Sequence, residues 1–273
     1  MSVTAQIIEG NAIVQKTKTE ILNLESPYVG QLAYETTRGI MLIYDGLFWR
    51  PHDKDPRRCL YFLDDFDGGP QDFLKWRLSI SGAGSQVSNA SLATVSASAP
   101  GWAYMETGTT NTGYTGMWRS QAASYDPGAG ELMLHARIKP RNLSTVGEEY
   151  KFDVGFHDNT ANTAPTDGSF FQYDRLTDGD FWSCVNYKAG STTKTVTASV
   201  PSTTSPVLLS IWLTSTNARF YVDRVLKATI STNLPVSTNY LMPALRIIKS
   251  AGTTSRGIDL DFVEWWQIFD SPR

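Results

Sequence analysis

Residues 208–230 read LLSIWLTSTNARFYVDRVLKATI, and this stretch decides the fold. Leu209, Ile211 and Leu213 fall on one side of an extended chain and Ser210, Trp212 and Thr214 on the other, the two-residue period of a pleated strand. Thr-Asn-Ala breaks the run. A second limb alternates Phe220 and Val222 against Arg219, Tyr221 and Asp223, and a third, rich in β-branched residues, follows Asp223-Arg224. The stretch predicts a three-limbed meander inside an antiparallel sheet, and with it an all-β domain.

The same period recurs upstream. ELMLHARIKP (131–140) puts Leu132, Leu134, Ala136 and Ile138 on one face, with Met133, His135 and Arg137 on the other. EEYKFDVGFHD (148–158) sends Tyr150, Phe152, Val154 and Phe156 inward and Lys151, Asp153 and His157 outward. LYFLDDFDG, WRLSISG, QVSNASLATVSAS and GWAYMETG supply further limbs, and the Ser/Thr tract 191–205 reads as hairpin edge and loop. About a dozen short strands divided by Gly, Pro and Asn turns predict two facing antiparallel sheets over residues 58–273, a sandwich or jelly roll.

Ahead of this domain, residues 1–57 hold an arm without a clean period and then GQLAYETTRGIMLIYDGLFWRP (30–51). This is three short strands split by Thr-Thr-Arg-Gly and by Asp45-Gly46, a two-residue hairpin signal. Both faces of its middle strand are apolar, so a small meander cannot shelter them alone. Six exposed side chains of this kind forgo on the order of 9 to 18 kcal/mol. Either the following domain or other copies of the chain must cover them. PHDKDPRR (51–58) reads as a linker that holds the meander away, which favours other copies and assigns Leu32, Tyr34, Ile40, Met41, Leu42, Ile43, Tyr44, Phe48 and Trp49 to an oligomer interface.

Composition narrows the function. Only 19% of residues are charged, the net charge is -3, and there is no basic stripe, which argues against nucleic acid as a partner. Two cysteines far apart, Cys59 and Cys184, signal neither a disulfide framework nor a zinc site and read as buried thiols. The N-terminal residues lack the pattern of an export signal, and nowhere do about 18 apolar residues run together. A soluble chain made in a cytoplasm, without membrane insertion, is expected.

Two stretches resemble known families. GQLAYETTRGIMLIYDGLFWRP resembles a short module of tailed-bacteriophage fibre and head-fibre proteins, in which Thr-Thr-x-Gly, an alternating strand, Tyr-Asp-Gly and Trp-x-Pro follow in order. That resemblance implies a homotrimer attached to other virion proteins, capsid or tail, through the N-terminal arm. Residues 130–269, with FYVDRVLKATISTNLP and GTTSRGIDLDFVEWWQIF, resemble the closing half of the concanavalin A-like jelly-roll domain of phage structural proteins. Arg224 stands where that family carries Gly, so the turn is expected to change type or widen, since Arg at positive φ is strained.

The most enzyme-like string is Asp259-Leu-Asp261-Phe-Val-Glu264, which resembles the Glu-x-Asp-x-x-Glu of laminarinase-type glycosidases. Its first acid is a methylene short and it lies on the last strand, where that family does not place it. An outward polar face is the plainer reading. LDDFDGGPQD (63–72) fails the EF-hand spacing, leaving Asp65 and Asp67 as members of a looser calcium site or of an Asx-rich turn. His52, His135 and His157 have no nucleophile motif beside them and read as solvent-facing. Aromatic residues beside Gly, Ser and Thr, namely Trp102, Tyr104, Tyr114, Trp118, Tyr125, Trp182 and Tyr187, are candidates for stacking on sugar faces, or for packing in the core. The sequence expectation is a non-enzymatic virion structural protein on the particle surface, with no cofactor and no metal, projecting a lectin-like domain toward host-surface glycan. The alternatives are a glycan-cleaving enzyme and a plain carbohydrate-binding module.

Overall fold

The computed structural model describes residues 6–8, 11–25, 27–46, 48–52, 54–66, 76–89, 101–119, 125–159, 162–236 and 239–272. Its contacts divide the chain into two compact units, Met1–Tyr61 together with Trp266–Arg273, and Phe62–Trp265. In the first unit the elements are β1 (Gln6–Ile8), β2 (Asn11–Lys16), α1 (Lys18–Leu22), β3 (Leu32–Glu35), β4 (Ile40–Tyr44) and β5 (Trp49–Pro51). The five strands form one sheet in sequence order. Helix α1 begins at a capping box, with the Thr17 hydroxyl accepting from the Glu20 N–H and the Glu20 carboxylate accepting from the Thr17 N–H.

The meander read from the sequence is β3 to β5, extended by β2, which joins β3 in parallel. Tyr44 pairs with Trp49, so Asp45-Gly46 belongs to a four-residue connection instead of a two-residue hairpin. The Asp45 carboxylate takes the Phe48 N–H at 2.8 Å, which closes the longer turn. Of the residues assigned to an oligomer interface, Ile40, Leu42, Phe48 and Trp49 are buried within the single chain, whereas Leu32, Tyr34, Met41, Ile43 and Tyr44 are half-buried. The stretch read as a linker turns at 55–58 and leads straight into β6 (Cys59–Asp64), which pairs with the last strand. Asp53 and the arm's first five residues lie outside the described residues.

The second unit continues with β7 (Trp76–Ser81), β8 (Ser85–Asn89), β9 (Ala103–Thr107), β10 (Tyr114–Arg119), β11 (Gly130–Pro140), β12 (Glu149–His157) and β13 (Gly168–Asp174). The short helix α2 (Arg175–Asp178) precedes β14 (Trp182–Lys188), β15 (Ser191–Val196), β16 (Val207–Leu213), β17 (Ala218–Val222), β18 (Val225–Ile230), β19 (Met242–Ala251) and β20 (Gly257–Phe269). They form a seven-stranded sheet, β15-β14-β13-β12-β19-β10-β7, and an eight-stranded one, β18-β17-β16-β11-β20-β9-β8 with β6 on β20. The chain is a concanavalin A-like jelly roll. Residues 90–98 of the predicted limb QVSNASLATVSAS fall outside the described residues.

Inward side chains of the two sheets meet as the period requires. Leu132, Leu134, Leu209, Ile211 and Phe220 come from one sheet and Phe152, Val154, Phe156 and Phe171 from the other, all fully buried. An edge-to-face contact of Phe171 on Phe220, centroids 5.3 Å apart, joins them. Cys59 and Cys184 are buried free thiols, and burial pushes the Cys184 thiol well up. The 208–230 meander pairs as β16, β17 and β18. Val222 pairs with Val225, so the Asp223-Arg224 turn is neither widened nor relaxed: both residues sit at positive φ, 48° and 67°. What holds Arg224 there is Asp223, whose N–H donates to the Leu208 carbonyl and whose carboxylate accepts the Leu208 N–H.

Candidate functional site

The alternation of β12 decides which side chains leave the core. With Phe152, Val154 and Phe156 turned inward, Lys151, Asp153, Gly155 and His157 point to the outward face of the seven-stranded sheet. The register carries that face across the strands: Asp153 stands beside Gln172 of β13 and Arg246 of β19, and Gly155 beside Phe170 and Ala244. Beyond Ala244 comes Trp118 of β10, itself opposite Arg77.

One row of this face is a polar relay. Arg246 Nε donates to Asp153 Oδ2 at 2.8 Å, and Gln172 Nε2 donates to Asp153 Oδ1 at 2.9 Å. Lys194 Nζ donates to Gln172 Oε1 at 2.8 Å and to Asp178 Oδ2 at 2.9 Å, and the Ser183 hydroxyl donates to the same Asp178 oxygen. Asp153 is 1% exposed and Arg246 4%, so both charges are satisfied by each other and by amides in place of water. Such a chain of donors and acceptors is stiff, because moving one member strands its neighbour.

The neighbouring rows are aromatic and small. His157, Phe170 and Tyr187 stack across three strands, with centroids 4.3 Å apart for His157 on Phe170 and 5.8 Å for Phe170 on Tyr187. Ala244 and Gly155, both buried, are the small residues in the row between this stack and Trp118. Gly155 is required there, since a Cβ would lie 2.5 Å from the Phe170 Cα, and its φ is +156°. His157 is fully buried with neither ring nitrogen hydrogen-bonded, and burial, aided by the Arg246 charge, holds its pKa well below the usual histidine range. The Tyr114 ring lies over Gly116, and burial pushes the Tyr114 hydroxyl up to about 12.

The sugar-stacking candidates therefore separate. Trp118 and Tyr187 are half-buried on this outward face, and Tyr114 shares the face but is buried. Trp182 is corrected to a core residue: it pairs with Tyr173 on the inward face, is fully buried and packs edge-on to Phe152 and Phe171. Tyr125 is a core residue too, stacked edge-on against Trp265. Trp102 and Tyr104 lie with the eight-stranded sheet; Trp102 is buried, and the Tyr104 hydroxyl donates to Glu106 at 2.7 Å while Arg141 covers its ring at 3.4 Å.

The Asp259 string occupies that second sheet. Arg141 Nε donates to Asp259 Oδ1 at 2.7 Å with Lys139 at 3.5 Å, and Arg137 Nη1 donates to Asp261 Oδ2 at 2.6 Å. Asp259 is closed to solvent, so Asp259 and Asp261 close an ion-pair belt instead of lining a cleft, and Glu264 is 9% exposed. Of the acidic stretch 63–72, Asp64 accepts from the Phe66 N–H and from Trp76 Nε1 and Asp65 is exposed, while residues 67–72, Asp67 among them, lie outside the described residues. No group of three metal-ligating side chains stands together among the described residues. Two histidines expected at the surface are buried, His157 in the stack and His135 against Ser210 at 2.8 Å; His52 is exposed. Among the described residues no helix is long and apolar enough to cross a membrane.

Sequence reasoning missed the relay, although it placed Asp153 outward. The signal was present in β19, where MPALRIIK carries a single Arg inside an apolar run. A lone charge in a buried strand needs an opposite charge on a neighbour.

No family model and no curated protein matches the chain. Solved structures do. The endo-1,3-β-glucanase of Streptomyces sioyaensis matches at 15% identity with a TM-score of 0.52, over 81% of this chain and 99% of that one. A Bacteroides ovatus GH16 protein in complex with a mixed-linkage glucan product matches at 12% identity and 0.54, over 75% and 99%. The carbohydrate recognition domain of Emp47p matches at 9% and 0.53, over 79% and 99%. These likenesses establish the jelly-roll fold. They also overturn the expectation that the chain is not an enzyme, because endo-glucanases recur among the structures that share its fold.

Proposed function

We propose that this protein engages polysaccharide along the outward face of its seven-stranded sheet. The observation that carries the reading is the pair of half-buried rings, Trp118 and Tyr187, standing on this face on either side of the small residues Ala244 and Gly155, with the Asp153–Gln172–Lys194 relay in the next row. Aromatic faces take the C–H surface of a sugar ring, and fixed polar groups pair with its hydroxyls. Structures that share the fold belong to glucan-cleaving enzymes and to a carbohydrate recognition domain, which supports glycan as the ligand.

Affinity electrophoresis through gels loaded with β-1,3-, mixed-linkage and neutral control glucans tests it. One glucan is expected to retard the chain, and Trp118→Ala to weaken retardation roughly tenfold, the loss of an aromatic contact of about 1.5 kcal/mol. Retardation by no glycan, or retardation indifferent to Trp118, overturns the reading.

Cleavage of the bound chain is the second reading. Asp174 lies two residues along from Gln172, the partner of Asp153, so the two acids are diagonal neighbours on one face, their backbones roughly 7–8 Å apart. Both are closed to solvent in the free protein. In the free protein Lys151 occupies Asp174 at 2.7 Å, so substrate would have to displace it. Release of reducing ends that disappears in Asp174→Asn supports cleavage; no release from any retarding glucan removes it.

A virion setting, with trimerisation and attachment through the N-terminal arm, is supported by the sequence resemblance of residues 30–51 alone. Imaging particles with and without the gene product tests it, and an unchanged particle refutes it.

A further inference from the structure

Away from the Trp118–Tyr187 face, a cavity of about 430 Å³ opens between the end of β14, the turn after β16 and the loop 231–236. Its size lies within the range of small-molecule sites. Leu213 and Pro235 form its apolar part, and both are buried. Ser215, Ser231 and Asn233 bring hydroxyls and an amide, and the two serine hydroxyls make no side-chain hydrogen bond among the described residues. Lys188 is the charged residue of the lining; it is exposed and pairs with no acid among the described residues.

The walls are held by a dedicated carboxylate. Asp167 is fully buried and accepts from the Ala189 N–H at 3.4 Å, the Val236 N–H at 3.0 Å and Asn239 Nδ2 at 2.6 Å. It thus ties the hairpin that presents Lys188 to the loop across the cavity. That hairpin is strained: Ala189, a residue with a Cβ, sits at φ +48°. A buried charge that fixes two walls, and a turn kept in the left-handed region next to the lysine, make this a formed concavity with an exposed cation at its rim.

We propose that the cavity is a second sugar site, one that takes a monosaccharide-sized unit bearing a carboxylate, with the carboxylate set against the Lys188 ammonium. That the ligand is a sugar rests on the glycan reading above; that it is an anion rests on Lys188 being uncompensated. Neutral hydroxyls of the ligand pair with Ser215 and Ser231, and its apolar ring face lies toward Leu213 and Pro235.

The test is a protein-observed NMR titration of the full chain with D-glucuronate, D-glucose and acetate. Glucuronate is expected to shift the amides of residues 213–215 and 231–236, and glucose and acetate to bind much more weakly. Lys188→Ala should weaken glucuronate roughly ten- to a hundred-fold, the loss of one charge-assisted hydrogen bond, and Lys188→Arg should keep most of the affinity. Glucose binding as well as glucuronate, or Lys188→Ala binding like the parent, overturns the proposal; acetate binding as well as glucuronate overturns its sugar part. Trp118→Ala separates the two sites. Lys188-dependent glucuronate binding in a chain that no glucan retards leaves this site standing and sinks the polysaccharide reading of the Trp118–Tyr187 face.

Discussion

Removing Arg246 from beneath Asp153 is the sharpest perturbation the structure offers. Both side chains are almost fully closed to solvent, and Arg246 supplies Asp153 with its nearby cation through the 2.8 Å Nε contact. In Arg246→Met the carboxylate keeps the Gln172 amide and loses its counter-charge. Breaking one half of a buried pair costs about 3–5 kcal/mol, chiefly the desolvation of the charge left behind. Replacing both partners by apolar residues of similar volume removes that charge and is often neutral. Arg246→Met with Asp153→Leu should therefore recover most of the loss. Urea unfolding followed by far-ultraviolet circular dichroism reads both. With a slope of about 1–3 kcal/mol/M, the single variant should lower the midpoint by roughly 1–5 M, and the double variant should return most of the way. A single variant that moves the midpoint by less than about 0.5 M, or a double variant less stable than the single, would show that this pair contributes little and that the relay is decoration on the sheet.

Two other outcomes follow from local strain and from burial. Arg224→Gly should stabilise the chain by about 1 kcal/mol, because the turn holds arginine at φ +67° where glycine is unstrained; a lower melting temperature would mean that the Arg224 side chain contributes more than its backbone costs. His157 gives the pH dependence. Its folded pKa is depressed, so the unfolded chain takes up a proton as pH falls through about 6.5 while the folded chain does not. Stability present above that pH is lost toward acid at up to about 1.4 kcal/mol per pH unit, until the folded histidine itself protonates. His157→Leu should flatten the slope between pH 6.5 and 5; an unchanged slope would assign it to other groups.

How much of this was legible beforehand depends on the range of the cause. Strand period is local, so the inward faces of β11, β12, β16 and β17 could be read residue by residue, and with them the sandwich. Whether an outward residue meets solvent is not local. His157 and His135 alternate as surface residues do, yet Phe170 stacks on one and Ser210 bonds the other from strands 13 and 75 positions away. Trp182 was misjudged for the same reason: Gly and Ser beside it suggested an open turn, whereas its register opposite Tyr173 turns it inward. Asp259, Asp261 and Glu264 have the types and nearly the spacing of a catalytic string. Arg137, Lys139 and Arg141 come from a strand about 120 residues earlier, as Arg141 to Asp259 spans 118 positions and Arg137 to Asp261 124. Only the pairing of two strands decides whether carboxylates face a substrate or a guanidinium.

The N-terminal ribbon shows how far such a cause can reach. Six apolar side chains on two faces demand cover, and residues 1–57 alone offer too little, which is why copies of the chain were the favoured source. Trp266–Arg273 belong to the same compact unit as the ribbon. The Phe269 N–H donates to the Arg58 carbonyl at 2.9 Å, the Trp266 ring lies 4.0 Å from that of Tyr61, and Lys18 pairs with Asp270 at 3.7 Å. With Ile40, Leu42, Phe48 and Trp49 closed inside one chain, the need for sister copies falls to the half-buried residues Leu32, Tyr34, Met41, Ile43 and Tyr44. Each keeps at most about a third of its surface exposed and so forgoes at most about a third of the ~1.5–3 kcal/mol of full burial. Five of them together leave at most about 3–5 kcal/mol, well below the 9 to 18 that favoured association. A trimer held by this face alone would then dissociate on dilution, and sedimentation from micromolar to nanomolar chain would show it; a trimer that persists at nanomolar concentration requires a larger interface than these five residues provide.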